Sequence, residues 1–260
     1  MSISMSMWDR IRREAHEIVA SEPALASYVY ASVLSHDSLE HVVIHRVAQG
    51  VDHPEVRADL VRRTFEQALA AEPALREMFE ADLAAVFERD PASGRVIQAL
   101  LYFKGFAAIQ THRLAHWLWN QGRRDFASYL QSRSSAVFGV DLHPAARIGR
   151  GLMFDHATGI VIGETAVIDD DVSILQGVTL GGTGKEHGDR HPKIRAGVMI
   201  GAGATILGNI EIGAGARVAA GSVVLRPVPA GKTVAGIPSK IVGDADDPAH
   251  TMDQVFDPII

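Results

Sequence analysis

The chain has 260 residues, 47% apolar and 22% charged, with 12 histidines, no cysteine and a net charge of −6. Such a length supports a sizeable core and two domains. The acidic balance excludes a basic nucleic-acid surface, and the lack of cysteine excludes a disulfide framework, a thiolate nucleophile and a cysteine zinc site.

Residues Met1 to Arg13 hold no apolar core of signal-peptide length, and the longest uncharged stretch, Ala196 to Ile210, is too short and too glycine-rich to span a bilayer. A cytoplasmic protein with no membrane or nucleic-acid partner is expected. Only Gly50, Gly94, Gly105, Gly122 and Gly139 fall before residue 140, and the other nineteen of the 24 glycines follow. Glycine is costly inside helices, so its distribution sets a boundary near Gly139. Residues 1–139 read as an all-α domain. Pro23, Pro54, Pro73 and Pro91 each follow an acidic residue or a histidine, and proline suits a first helical position. Helical periodicity runs through Val56, Leu60, Phe65 and Leu69, and through Leu75, Phe79, Leu83 and Val86. Phe103, Phe106, Leu114 and Trp117 read as core.

Residues 140–243 carry a different rhythm. Ile148, Phe154, Ile160, Ala166, Val172 and Val178 recur every six positions, and Ile194, Ile200, Ile206, Ile212, Val218 and Val224 resume the beat. Inward aliphatics at that period, flanked by small residues, predict a parallel β-helix. One break is expected, between Val178 and Ile194, where a polar glycine-rich loop contains Gly182, Thr183, His187, Arg190 and His191. Its backbone amides suit close approach of an anionic or acyl group. The Asp155-His156 pair is polar against the repeat, and Asp141 and His143 precede it. A carboxylate beside histidine favours a general base, and a hydrogen-bonded structural histidine is the bland alternative. Residues 244–260 are acidic and read as a flexible tail.

Several motifs resemble bacterial serine O-acetyltransferase. They are Leu142-His143-Pro144-Ala145-Ala146-Arg147-Ile148-Gly149, Phe154-Asp155-His156-Ala157-Thr158-Gly159, Gly163-Glu164-Thr165-Ala166 and Gly188-Asp189-Arg190-His191-Pro192-Lys193. Tyr102-Phe103-Lys104-Gly105-Phe106 and His116-Trp117-Leu118-Trp119-Asn120 extend the likeness into the helical half. The resemblance implies an α+β chain: an all-α N-terminal domain followed by a left-handed parallel β-helix of hexapeptide repeats. It implies a homo-oligomer, either a trimer or a dimer of trimers. It also implies acetyl transfer from acetyl-CoA, as co-substrate with no permanently bound cofactor and no metal, to L-serine for cysteine biosynthesis. L-cysteine is the implied feedback inhibitor, and Ile260 the implied anchor for cysteine synthase.

On that resemblance His156 is the general base and Asp141 its orienting carboxylate. A zwitterionic substrate needs opposite charges, so Arg190 suits its carboxylate, and Asp90 and Asp155 its ammonium. His191 or the loop amides would meet the oxyanion. Asp90 precedes Pro91 and would equally serve as a helix N-cap. Gly182, Thr183, Ala202, Arg217 and Ala220 are the expected acetyl-CoA positions. The rivals are an acetyltransferase of a sugar or antibiotic hydroxyl, a metal-dependent hydratase using His156, His187 and His191, and a non-catalytic scaffold.

Overall fold

The computed structural model describes residues 5–185 and 187–251. Its helical part contains α1 (Met7–Ser21), α2 (Ala26–Val29), α3 (Leu39–Gly50), α4 (Ala58–Ala71), α5 (Leu75–Arg89), α6 (Val96–Tyr102), α7 (Lys104–Asn120) and α8 (Arg124–Phe138). Side chains fix several starts: the Ser6 hydroxyl accepts the Asp9 N–H, and Ser38 accepts that of His41. Phe65, Phe79, Leu83, Leu114 and Leu118 are fully buried in one core.

The prolines punctuate less uniformly than expected. Pro23 does open a short 3-10 turn. Pro54 and Pro91 instead lie in loops ahead of α4 and α6. Asp52 accepts the Ala58 N–H and so delays α4, while Asp90 ends α5 and turns its carboxylate onto the Ala92 N–H at 2.8 Å. The N-cap role expected for Asp90 is therefore not the one it fills.

Helix α8 stops at Gly139, which adopts the left-handed conformation, and strand β1 starts at the next residue. From there the chain coils, three short strands to a turn. The first coil has β1 (Val140–Leu142), β2 (Arg147–Ile148) and β3 (Met153–Asp155). The second has β4 (Ile160–Ile162), β5 (Val167–Ile168) and β6 (Ser173–Leu175), and the third β7 (Thr179–Gly181), β8 (Lys193–Ile194) and β9 (Met199–Ile200). The fourth has β10 (Thr205–Leu207), β11 (Glu211–Ile212) and β12 (Arg217–Val218), and β13 (Val223–Val224) begins a fifth. Three parallel sheets result. The first is β1-β4-β7-β10-β13 and the second β2-β5-β8-β11, while the third runs β3-β6-β9-β12.

Strand β14 (Lys232–Gly236) continues the third sheet in parallel, and β15 (Ser239–Asp244) closes it antiparallel. A single turn, α9 (Pro248–Thr251), follows, with Ala249 buried and its carbonyl accepting the Ser173 hydroxyl at 3.1 Å. Residues 244–251, expected within a flexible tail, thus cap the third sheet. The sequence expectation missed this because that seat is made of backbone groups and scattered polar side chains, Ser173, Arg217 and Thr233, with no apolar repeat to announce it.

Inside the solenoid two residue series, two positions apart, point inward. Leu142, Ile162, Leu180, Ile206 and Val224 belong to one, and Val140, Ile160, Val178 and Ala204 to the other; all are buried. The register measures each coil. Thr179 follows Val161 by 18 residues, Glu211 follows Lys193 by 18, and Val223 follows Thr205 by 18. Three hexads make such a turn. Ser173 follows Met153 by 20, however, and Lys193 follows Val167 by 26. Up to Val224 the repeat therefore has two interruptions, not the single break expected, and past it the coil shortens, Thr233 following Arg217 by 16.

Candidate active site

The first interruption can be placed to the residue. Asp155 pairs with Leu175 in register, and the Gly177 N–H donates to Thr158 as Gly203 does to Gln176 and Gly221 to Ala202. Thr158 is thus the equivalent of Gln176, Ala202 and Ala220, and His156-Ala157 are the two extra residues. Both take left-handed backbone angles, φ +53° and +57°, each costing about 1–2 kcal/mol for a residue with a Cβ. Ala157 is buried as the root of the bulge, while the His156 side chain stays 75% exposed at its tip. Asp171 also takes a left-handed angle, φ +61°, but among the described residues only the bulge sets two such residues side by side and carries an imidazole, which points to a functional residue.

Helix α7 seats this corner. A Cβ at Gly105 would lie 2.0 Å from the Phe154 carbonyl oxygen, so only glycine lets the helix approach β3. Lys104 Nζ donates to the Thr158 hydroxyl, bracing the bulge. On the other side Arg89, buried at the end of α5, donates to the Gly151 carbonyl at 2.9 Å and pairs with Asp171 at 3.2 Å. That anchor brings Asp90 to the same place. The outcome is a cleft of about 650 Å³ whose polar lining includes Asp90, Lys104, Asp155 and His156. Asp155 Oδ1 stands 3.9 Å from His156 Nε2. Burial, and then the like charge of Asp90, hold the Asp155 carboxyl above the usual carboxylate range against the opposing pull of His156.

The second interruption lies between β7 and β8, at the far end of the first sheet. Arg190 and His191 end its loop, and neither lines the His156 cleft. Arg190 donates to Glu164 at 2.7 Å, which holds that carboxyl below its ordinary range. His191 is buried against Gly163, and a Cβ at Gly163 would meet its ring at 2.0 Å. His143 stands close by, its pKa lowered by burial. Along the first sheet the two corners are roughly 16 Å apart, five residues at about 3.3 Å each. Asp141 points outward from β1 between them, accepting from Gln131 at 2.7 Å, and no bond joins it to His156 among the described residues. The structure therefore assembles Asp90, Asp155 and His156, and separately Arg190 and His191. His156 and His191 occupy different corners, and no group of three metal-ligating side chains occurs among the described residues. The single-chain ligand set of the hydratase reading is not formed.

Of the expected acetyl-CoA positions, Ala202 and Ala220 stack below Thr158 and Gln176 along the corner that carries His156. Arg217, on β12, donates to the Asp246 carbonyl at 3.3 Å. Gly182 packs against Arg190, and Thr183 against Gly208, at the other corner. Three residues given no role in the sequence reading, Lys104, Glu164 and Thr165, bond directly to site elements. Each lies inside a motif that carried the resemblance, which was the available signal.

A solenoid of hexapeptide coils, interrupted only to expose an acid-histidine pair and a basic loop, defines a transferase of the hexapeptide-repeat class. A family model for the bacterial transferase hexapeptide (six repeats) matches residues 191–226, and one for the serine acetyltransferase N-terminal region matches residues 7–111. The serine acetyltransferase of Escherichia coli K12 is 54% identical over 255 residues, 97% of this chain and 93% of that protein. The structure of a Brucella abortus S19 serine acetyltransferase in complex with coenzyme A shares 57% identity at a TM-score of 0.91, covering 92% of this chain and 96% of that one. A serine acetyltransferase in complex with cysteine shares 52% at 0.94, covering 96% and 98%. The chain belongs to the serine acetyltransferase family.

Proposed function

We propose that this chain transfers acetyl from acetyl-CoA to the hydroxyl of L-serine, giving O-acetyl-L-serine and CoA, with His156 as the general base. The observation that carries the reading, within the family shown, is the cleft that joins the protruding His156 imidazole to Asp90 and Asp155. Asp90 and Asp155 hold the serine ammonium there. His156 takes the hydroxyl proton as the oxygen attacks the thioester carbon, a contribution of about 10²–10⁴ in rate. The tetrahedral oxyanion then collapses, the C–S bond breaks, and the imidazolium returns its proton to the departing sulfur. With no cysteine in the chain a thiol acyl-enzyme is impossible, and direct transfer is the simpler route. Asp141 is assigned to orient the imidazole: it sits two residues beyond Gly139, whose carbonyl accepts the Gly159 N–H beside the bulge. Ala202 and Ala220 leave a smooth corner along which pantetheine runs toward His156, with Gly182, Thr183 and Arg217 as further acetyl-CoA contacts.

Arg190 and His191 belong to the same reaction, and their distance from His156 within the chain supports a homo-oligomer, a trimer or dimer of trimers. One copy's loop then meets its neighbour's cleft. L-cysteine, ligand of a relative, is proposed as a feedback inhibitor competing with serine for the two carboxylates. Cysteine synthase is proposed as a partner through Ile260, which lies outside the described residues, and the place of action is the cytoplasm in cysteine biosynthesis. No helix among the described residues is long and apolar enough to cross a membrane. A sugar or antibiotic hydroxyl is the weaker substrate, since a neutral sugar has no charge to set against Asp90, Asp155 and Arg190.

The test is thiol release from acetyl-CoA with L-serine, L-homoserine or a simple sugar as acceptor, for wild type and His156→Ala. Turnover selective for L-serine, and about 10²-fold or more slower in the variant, is expected. Near-full activity of the variant would remove His156 as the base.

A further inference from the structure

Thr165, first residue past the glutamate that pairs with Arg190, makes an unusual number of contacts for an outer turn residue. Its hydroxyl oxygen accepts the backbone N–H groups of Arg190 at 2.9 Å and His191 at 3.1 Å. The same oxygen lies 2.9 Å from His191 Nδ1, and the Thr165 backbone N–H points at that nitrogen from 3.2 Å. Its carbonyl accepts Lys193 Nζ at 2.8 Å. Both ends of the catalytic dipeptide and its following lysine are thus tied to one residue of the preceding coil.

The Thr165 backbone N–H decides the tautomer. A backbone N–H only donates, so Nδ1 must present its lone pair. The hydroxyl oxygen already accepts two N–H groups, and its one proton is shared between that lone pair and the Asp189 carboxylate, which the Thr165 side chain also hydrogen-bonds. The ring proton is left on Nε2, the nitrogen packed over Gly163. Burial, with Arg190 beside it, holds the His191 pKa below its ordinary value, so the ring stays neutral with that single proton.

We infer that Thr165 is a positioning residue of the transfer reaction, fixing His191 as a neutral Nε2–H donor and holding the Arg190 main chain in place. His191 then serves to stabilise the developing oxyanion and has no lone pair left to act as a base. That division leaves His156 as the one base of the pair. The inference rests on the proposed reading in which Arg190 and His191 meet the substrate.

Thr165→Val keeps the shape and removes the hydroxyl; Thr165→Ser keeps the hydroxyl. In the full-length protein, Thr165→Val is expected to lower kcat/KM for L-serine about 10-fold or more, the scale of a lost buried hydrogen bond. Its KM for acetyl-CoA should stay within about twofold, and Thr165→Ser should restore kcat/KM to within about threefold of wild type. A melting curve for each variant separates these effects from unfolding. Ring-¹⁵N histidine spectra, with the His191 signal identified by its loss in His191→Asn, are expected to show wild-type Nδ1 bare and Nε2 protonated. The backbone N–H remains in Thr165→Val, so the same tautomer is expected there, and the loss of efficiency falls on the released main chain of Arg190 and His191. A protonated Nδ1 in wild type, full efficiency in Thr165→Val, or an equal loss in Thr165→Ser would overturn the role of Thr165 alone. His191→Asn at the wild-type rate would overturn the reading beneath it, whatever the tautomer.

Discussion

Asp155 and Asp90 carry the same sign into one cleft, and their mutual cost is useful because a cation is the expected occupant. Asp155 is held above the ordinary carboxylate range, first by burial and then by Asp90. Only its ionised form pairs with an ammonium. The acid limb of the pH profile for serine binding should therefore begin at a higher pH than an unperturbed aspartate would give. Asp90→Asn removes the like charge, so the Asp155 pKa falls and the limb moves to lower pH, while the KM for serine at neutral pH rises through loss of one partner. Steady-state KM for L-serine across pH measures both, and a limb unmoved in the variant would separate Asp155 from the substrate ammonium. Much of this was legible in the sequence, because adjacent acid and imidazole against an apolar repeat mark themselves. Asp90 was named for the ammonium beside an equal reading as a helix cap before proline, and it is the anchoring of α5 by Arg89 that carries it into the cleft.

Helix α7 is the element on which the geometry of the site depends. Down its length it meets the first coil four times: Gly105 on Phe154, His112 on the His143 carbonyl, Arg113 on the Gly149 carbonyl, and His116 on the Pro144 carbonyl. Arg113 is also paired in the interior with Asp82, which accepts the Leu152 N–H of the same coil. His112 is wholly buried there, and burial, with His116 and Arg113 adding to it, lowers its pKa to about 3. The unfolded chain takes up that proton near the ordinary value of 6.5, so the folded state loses stability as pH falls through the interval between the two. The slope is at most about 1.4 kcal/mol per pH unit for one proton. His112→Gln retains a donor for the His143 carbonyl and removes the titration, and the gap in melting temperature between pH 7 and pH 5 should shrink. An unchanged gap would place the acid sensitivity elsewhere. The solenoid itself was plain in its hexads. Its first interruption was hidden because the two inward series differ by two positions. A two-residue bulge after Phe154 moves the count from one series to the other, and Ile160 still falls six residues on. A longer insertion, the loop ending at Arg190-His191, has no such disguise.

At the scale of the whole molecule, both interruptions fall at the ends of a single sheet, one bearing His156 and the other Arg190 and His191. The sheet between them shows solvent a polar and aliphatic strip of Asp141, Val161, Thr179, Thr205 and Val223, with Val161 40% exposed. On the proposed reading, a chain that separates His156 from Arg190 by roughly the width of a sheet would complete its site when a neighbour presents the opposite corner. Rotational symmetry repeats such a head-to-tail contact until the ring closes. This makes a prediction that activity alone can read. His156→Ala and Arg190→Ala should each be nearly inactive as purified single species. Dissociated together and reassembled at equal ratio, they should recover activity wherever an intact His156 faces an intact Arg190. That condition is met at about one in four interfaces for random mixing in a closed ring. Recovery approaching a quarter of the wild-type rate would establish shared sites. No recovery, with mixed oligomers verified by mass, would mean that each chain builds its site alone and that the loop must swing across its own first sheet to reach His156.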